Sequence, residues 1–301
     1  MQQLKTLLEP LNIGALHWNE PLAKYTTWKI GGPADVLVVP ENKEQLAELL
    51  STLHKAQIPW IQLGRGSNML ISDKGIRGVV IKLGEGFDEA SFNGEVAFAG
   101  GSMSFVKLSV LAGKEALTGL EFAGGIPGSV GGAVYMNAGA HGSDVSRIFK
   151  SADIVLDTGE LVHYAAEDME FDYRHSVLHE RKGVVVSAQF QLQKGDKKEI
   201  SAAMSSYKDR RRRTQPLQSA TAGSVFRNPP GDHAARLIEA AGLKGFRIGG
   251  AEISNQHANF IENTGQATAE DVLALMKKVQ DTISEKNGIT LVPEVYVMGE
   301  R

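Results

Sequence analysis

The sequence predicts an α+β protein of two or three domains, and three observations carry that prediction. At 301 residues the chain is longer than one hydrophobic core usually serves. A strand, helix, strand pattern near the start gives way to a middle dominated by short strands. Beyond about residue 207 the composition changes to polar turns and amphipathic helices, so a boundary is placed there.

Residues 36 to 39, VLVV, form an apolar run rich in β-branched residues that Pro40 stops, and Leu46, Leu49, Leu50 and Leu53 then recur at helical spacing. A second strand, IPWIQL at 58 to 63, runs directly into Gly64-Arg65-Gly66-Ser67-Asn68. The result is a βαβ-like unit whose last strand opens into a glycine loop. Short strands follow at 78 to 83 and 95 to 100, then a helical pattern from 105 to 117, then the glycine-rich stretch EFAGGIPGSVGGAVYMNAGAHG at 121 to 142. IFKSADIVLD, ELVHY and GVVVSAQFQLQ continue the middle as strands, the last with rough alternation of apolar residues.

KEISAAMSSYKDRRRRTQP reads as a polar helix ending at a turn, and HAARLIEAAGLKG as a helix with Gly242 near its stop. In TAEDVLALMKKVQDTISEKNG, Thr268 is the expected N-cap and Gly288 the stop, with Val272, Leu275, Met276, Val279 and Ile283 as the buried stripe. ITLVPEVYVM is expected as a terminal strand. No internal repeat or low-complexity tract interrupts the chain.

Composition excludes several function classes. There is no cysteine, which removes disulfides, thiolate metal sites, cysteine nucleophiles and cysteinyl attachment of a cofactor. The formal net charge of -3 and a charged fraction of 22% name no polyanionic partner. MQQLKTLLEPL lacks the pattern of a secretory signal, and no apolar run approaches the roughly 20 residues of a membrane span, so a cytoplasmic location is expected, with neither membrane nor nucleic acid as partner. His175 and His179 stand four apart, but no third ligand accompanies them and no metal is expected.

Glycine permits positive φ and lets a ligand approach the backbone without a Cβ in the way. Residues 64 to 68 and 124 to 132 each follow apolar structure and could aim successive amide groups at a diphosphate, or could only permit turns and tight packing. The first segment lacks the third glycine and the acidic ribose partner of a dinucleotide fingerprint. It also lacks the Gly-Lys-Ser/Thr of a Walker loop.

Seven blocks together resemble one family: TTWKIGGPAD at 26 to 35, LGRGSNMLISDKGIRGVVIKL at 63 to 83, GLEFAGGIPGSVGGAVYMNAGAHG at 119 to 142, YRHS at 173 to 176, AGSVFRNP at 222 to 229, ISNQHANFIENTGQAT at 253 to 268 and LVPEV at 291 to 295. They are similar to the UDP-N-acetylenolpyruvoylglucosamine reductases, over nearly the whole chain. The resemblance implies a two-part FAD-binding region of vanillyl-alcohol-oxidase (PCMH) type at 1–82 and 83–207, with a C-terminal α+β substrate-binding domain at 208–301. It implies noncovalent FAD, NADPH as hydride donor and a UDP-sugar as substrate. A monomer is the expected state. By the same resemblance Gly64, Arg65, Gly66, Ser67 and Asn68, with Gly124, Gly125, Ile126, Pro127, Gly128, Ser129 and Gly131, cradle the FAD diphosphate and run beside the flavin, while Asn137, Ala138 and Gly139 line the same pocket.

Reducing an enolpyruvyl ether requires hydride at the methylene carbon, stabilisation of charge on the remaining carbon and carboxylate, and a proton on the neighbouring carbon. The resemblance implies Ser224 as proton donor, with Arg174 and Glu294 at the carboxylate. It also implies Asn228 as a substrate contact and places Tyr173 and His257 near the substrate; Arg213, within the arginine run, is the further candidate for contact with the phosphate-rich ligand. Read from the residues alone, Arg174 is as compatible with a surface ion pair, Ser224 with a turn cap and Asn228 with an Asx turn before Pro229. The run Arg210 to Arg213 is either a solvated helix end or a capture site for phosphate-rich ligands. No loop insertion is evident between 183 and 207, so the chain resembles the shorter subtype, without the covering tyrosine. Tyr207 is not assigned that role.

Two other functions compete. A related flavin oxidase of a small alcohol or hydroxy acid would need a different C-terminal pocket, and the combination of Ser224, Arg174 and Glu294 argues against it. A polyanion-binding protein would need aromatic residues interleaved with the arginine run, and only Tyr207 lies close.

Overall fold

The structure, a computed structural model, describes residues 1–300. Packing divides the chain into two compact units. The first comprises Met1–Trp18, Asp35–Gly64 and Gly78–Arg210, and the second Asn19–Ala34, Arg65–Arg77 and the residues from Arg211 onward.

The first unit has two hydrophobic cores. One gathers Leu4 and Leu8 of α1 (Gln2–Leu8) and the leucine stripe of α2 (Lys43–Lys55) against Val36, Val38, Val79 and Ile81. Asn42 caps α2 by accepting the N–H of Gln45 at 2.9 Å. The βαβ expectation holds with one correction. The Ile76–Ile81 strand lies between Pro33–Val39 and Trp60–Gln62, pairing in parallel with the latter. An apolar strand records that it is buried but not which neighbour it pairs with, so a later strand could slip between the two.

The second core lies against an antiparallel sheet ordered Leu161–Ala165, Phe149–Leu156, Gly183–Gln191, Val96–Gly100 and Ala90–Asn93. α3 (Phe105–Lys114) and α4 (Val130–Tyr135) contribute Phe105, Leu108, Val130 and Val134 to it. The Gly183–Gln191 strand serves both cores. Val184 and Val186 face the first core and Val185 the second, then the register shifts between Val185 and Ser187 opposite Ile154 and Asp153, and Ala188 and Phe190 again reach the second core. The bulge re-aims the alternation.

α5 (Lys197–Thr214) is polar as predicted, with Ile200 its one buried residue. The division between the two units falls between Arg210 and Arg211, inside this helix.

In the second unit, α6 (Ala234–Ala240), α7 (Ala269–Asn287) and a three-stranded antiparallel sheet enclose a core that includes Trp28, Leu70, Phe226 and Leu275. α7 matches its sequence signals residue by residue: Thr268 and Asp271 form a capping box, the five stripe residues are buried and Gly288 ends the helix at φ +66°. Trp28 Nε1 donates to the carbonyl of Ile261 at 2.8 Å, and Asn263 Nδ2 to that of Trp28 at 2.9 Å. The expected terminal strand is shorter than its apolar run. Only Tyr296–Met298 is regular, parallel to Met69–Ile71, because Pro293 cannot donate and the preceding residues pair with 225–227 instead. No helix among the described residues is long and apolar enough to cross a membrane.

Candidate active site

The loop after the Trp60–Gln62 strand is held at both ends and open between them. Leu63 N–H donates to Ile81, and the carbonyl of Asn68 accepts from Tyr296 N–H at 3.0 Å. Among the described residues, the N–H groups of Arg65, Gly66, Ser67 and Asn68 donate to no protein acceptor. Four consecutive amides without a protein acceptor are available as donors to an anion. Gly66 is required for the bend: its φ is +63°, and a Cβ there would lie 2.2 Å from the carbonyl oxygen of Tyr25.

The second glycine segment works differently. The N–H groups of Ile126, Gly128, Val130 and Gly131 are taken by the carbonyls of Ala123, Ile126, Met103 and Gly101 at 2.8–3.0 Å. It therefore offers thin backbone rather than a row of donors. Within the first unit Gly64 abuts the second segment: a Cβ there would lie 2.9 Å from Ser129 Oγ, and that hydroxyl caps α4 by accepting Gly132 N–H at 3.2 Å.

Beyond α4 the first unit gathers Asn137, Gly139, Tyr173 and Arg174. Asp172 and His175 exchange backbone hydrogen bonds at 3.2 and 3.1 Å, closing a tight turn with Arg174 at φ +56°. Asn137 is buried, and its Nδ2 donates to the Asp172 carbonyl at 3.0 Å while its Oδ1 accepts Ser146 N–H at 2.9 Å. The Arg174 guanidinium donates to the carbonyl of Gly139 at 3.0 Å and lies over the Tyr173 ring at 5.0 Å. Ser176 Oγ fastens the turn to the Tyr135 carbonyl at 2.7 Å. Arg174 is thus half-buried and held by the loop after α4. His175 and His179 stack on one another at 4.8 Å, with His179 also stacked on Tyr135. No cluster of three metal-ligating side chains exists among the described residues. Tyr207 on α5 lies flat on His141, with ring centroids 4.0 Å apart.

The second unit gathers Ser224, Glu294 and Asn68. Glu294 N–H donates to the Val225 carbonyl at 2.8 Å and Arg227 N–H to that of Val292 at 2.9 Å, so the two motif segments run antiparallel. Asn68 Nδ2 donates to the Glu294 carbonyl at 3.1 Å. Asn228 Oδ1 accepts Ala234 N–H at 3.1 Å at the start of α6. His257 Nδ1 accepts Asn259 N–H at 3.2 Å; burial, aided by the charge of Lys244, holds the imidazole below its ordinary pKa, so it stays neutral. Arg213 is exposed in the last turn of α5. Its neighbour Arg211 donates to Gln215 Oε1 at 2.9 Å, and burial lowers its pKa. One residue at this site escaped sequence reasoning. Asn259 is buried beneath the Ser224 segment and bonds Phe226 through both ends of its carboxamide; a single asparagine between apolar residues carries no periodic signal.

Two family models match the chain. Residues 34–165 match an FAD binding domain, and residues 215–298 match the C-terminal domain of UDP-N-acetylenolpyruvoylglucosamine reductase. The reductase of that name from Anoxybacillus flavithermus is 51% identical over 302 residues, covering 100% of each chain. The crystal structure of the corresponding enzyme from Thermus caldophilus superposes with a TM-score of 0.81 at 36% identity, covering 94% of this chain and 98% of that one. Phl p 4.0202, a glucose dehydrogenase, shares the fold alone: TM-score 0.50, 12% identity, 65% of this chain and 45% of that one. The FAD-binding region accordingly has the vanillyl-alcohol-oxidase-type fold. Taken by itself, the loop at 65–68 has the chemistry a diphosphate needs, four amides without a protein acceptor. The chain belongs to the UDP-N-acetylenolpyruvoylglucosamine reductase family.

Proposed function

We propose that the chain reduces enolpyruvyl-UDP-N-acetylglucosamine to UDP-N-acetylmuramate in the supply of peptidoglycan precursors, with Ser224, Arg174 and Glu294 as its catalytic residues. When bound, FAD carries hydride from NADPH to the methylene carbon of the enolpyruvyl group. Everything else falls to the protein. Ser224 delivers a proton to the neighbouring carbon and regains one from solvent, so that hydride and proton together saturate the double bond. Arg174 and Glu294 act at the carboxylate, where charge builds as the hydride arrives.

Arg65, Gly66, Ser67 and Asn68 hold the FAD diphosphate through their amides. Gly64, Gly124 to Ser129 and Gly131, with Asn137, Ala138 and Gly139, are the further FAD-binding residues that the family resemblance implies. Asn228, Tyr173, Arg213 and His257 contact or border the UDP-sugar. In this reading residues 1–82 and 83–207 form the FAD region and 208–301 the substrate-binding domain. The enzyme works as a cytoplasmic monomer, without nucleic acid or membrane. FAD is noncovalent in this reading: the chain has no cysteine, and none of its eight histidines stands where the family resemblance would imply flavin attachment.

The observation that carries this reading is the pairing of Glu294 with Val225, which sets the proposed acid and the proposed carboxylate partner on adjoining segments. The test is direct. Purified protein should be yellow, oxidise NADPH and transfer the reducing equivalents to the enolpyruvyl sugar nucleotide. Bleaching by lactate or a sugar in place of NADPH would instead indicate an oxidase.

A further inference from the structure

Ser224 follows a glycine in the left-handed region. Gly223 has φ +75°, and no atom lies within 4 Å of where its Cβ would be, so Ala222, 2% exposed in the core, is the nearest packed residue before the serine. On the C-terminal side the backbone pairs with 292–294 along one edge, and Asn259 holds the other. Asn259 Oδ1 accepts Phe226 N–H at 3.0 Å and its Nδ2 donates to the Phe226 carbonyl at 2.8 Å, while the Asn259 carbonyl takes Val225 N–H at 2.9 Å. The carboxamide presents a donor and an acceptor side by side that match both groups of an extended residue, so Asn259 supplies the partner Phe226 lacks on that edge. It is 4% exposed, and its own N–H is taken by His257 Nδ1 at 3.2 Å, so every polar group of Asn259 is committed.

We infer that Asn259 is a positioning residue for proton delivery: it fixes Val225 and Phe226 so that the hydroxyl of Ser224 meets the carbon it protonates. The inference rests on Ser224 being the proton donor. A serine hydroxyl is too weak an acid to tolerate a poor approach, and a displacement of about 1 Å costs on the order of a hundredfold in rate. Asn259 is buried with every polar group bonded to protein, so it acts through the Ser224 segment and its loss should act on the substrate half-reaction alone.

The test uses the holoenzyme in stopped-flow, with flavin absorbance followed separately during reduction by NADPH and reoxidation by the enolpyruvyl sugar nucleotide. Asn259→Leu should reduce with NADPH within about twofold of wild type and reoxidise about 10- to 100-fold more slowly. Asn259→Asp supplies the readout that a merely structural role would not give. As a carboxylate it sets oxygen against the Phe226 carbonyl, and as a neutral acid it restores donor and acceptor together, so its reoxidation should recover from about pH 8 to about pH 5 while wild type shows no such limb. Equal slowing of both half-reactions, unchanged reoxidation in both variants, or loss of flavin and folded structure in every variant and at every pH would overturn the inference. Ser224→Ala, run alongside, separates the two readings: if it reoxidises normally, the proton-donor assignment itself falls, whereas slow Ser224→Ala beside normal Asn259 variants sinks only the positioning role.

Discussion

The backbone N–H of Glu294 reaches the carbonyl of Val225 at 2.8 Å, tying the segment that bears the proposed carboxylate partner to the segment that bears Ser224. Competence of so weak an acid depends on where it is held. Ser224→Ala is expected to slow reoxidation by substrate about a hundredfold or more, with flavin reduction by NADPH within about twofold of wild type. Single-turnover traces for each half-reaction decide it, and equal impairment of both removes Ser224 from the role.

Asn68 belongs to the free-amide loop and also donates to the Glu294 carbonyl at 3.1 Å. Asn68→Ala removes that bond without disturbing the backbone pairing at Tyr296. The expected cost is about 1 kcal/mol of stability, read from urea unfolding, together with slower substrate reduction. A variant as stable and active as wild type would show the side-chain bond to be idle.

Gly66→Ala joins two penalties, a left-handed φ and a Cβ 2.2 Å from the Tyr25 carbonyl oxygen. The loop has to move, and the four amides shift from their present positions. Purified Gly66→Ala should carry far less flavin per chain, measured from the ratio of visible to ultraviolet absorbance. Full occupancy would show that the loop does not hold the cofactor.

His257 links acidity to the same region. Burial, then the charge of Lys244, depress its pKa, with Glu239 acting weakly the other way. The sign follows. Its contribution to stability is complete above the free value of about 6.5 and is lost as pH falls through the depressed value, because the unfolded chain takes up the proton first. Protonating Nδ1 would also set a donor against Asn259 N–H. The urea midpoint of wild type should therefore drop between about pH 8 and pH 5.5 by more than that of His257→Asn, which keeps an acceptor and cannot titrate.

Arginines 211 and 213 should separate. Arg211 is partly buried and bonded to Gln215, whereas Arg213 is exposed. Arg211→Ala should lower the thermal midpoint. Arg213→Ala should leave it unchanged and, if the run captures phosphate-rich ligands, raise KM for the sugar nucleotide with a weaker dependence on salt.

What the sequence made legible was local. α7 could be read to its caps because a capping box, a 3.6-residue stripe and a glycine stop all lie within about 20 residues of chain. Ser224 and Glu294 were reached through motifs. Their pairing was not, since Pro293 disguises where an apolar run stops being a regular strand. Nor was the insertion of Ile76–Ile81 between two earlier strands, because burial patterns say that a strand is covered and leave its partner open. Asn259 was invisible for a related reason: a lone polar residue in HANFI reads as a loop until Phe226, 33 positions away, is seen to need both ends of its amide.

The interrupted make-up of the second unit bears on protein engineering. Trp28 and Leu70 are built into the same interior as α7, and Met69–Ile71 shares a ladder with Tyr296–Met298. A chimera that transplants residues 215–298 alone would strip that interior of its walls and arrive as an insoluble fragment. A portable cassette has to include 19–34 and 65–77 as well, so recombination breakpoints that respect only linear sequence should be selected against in libraries of this family.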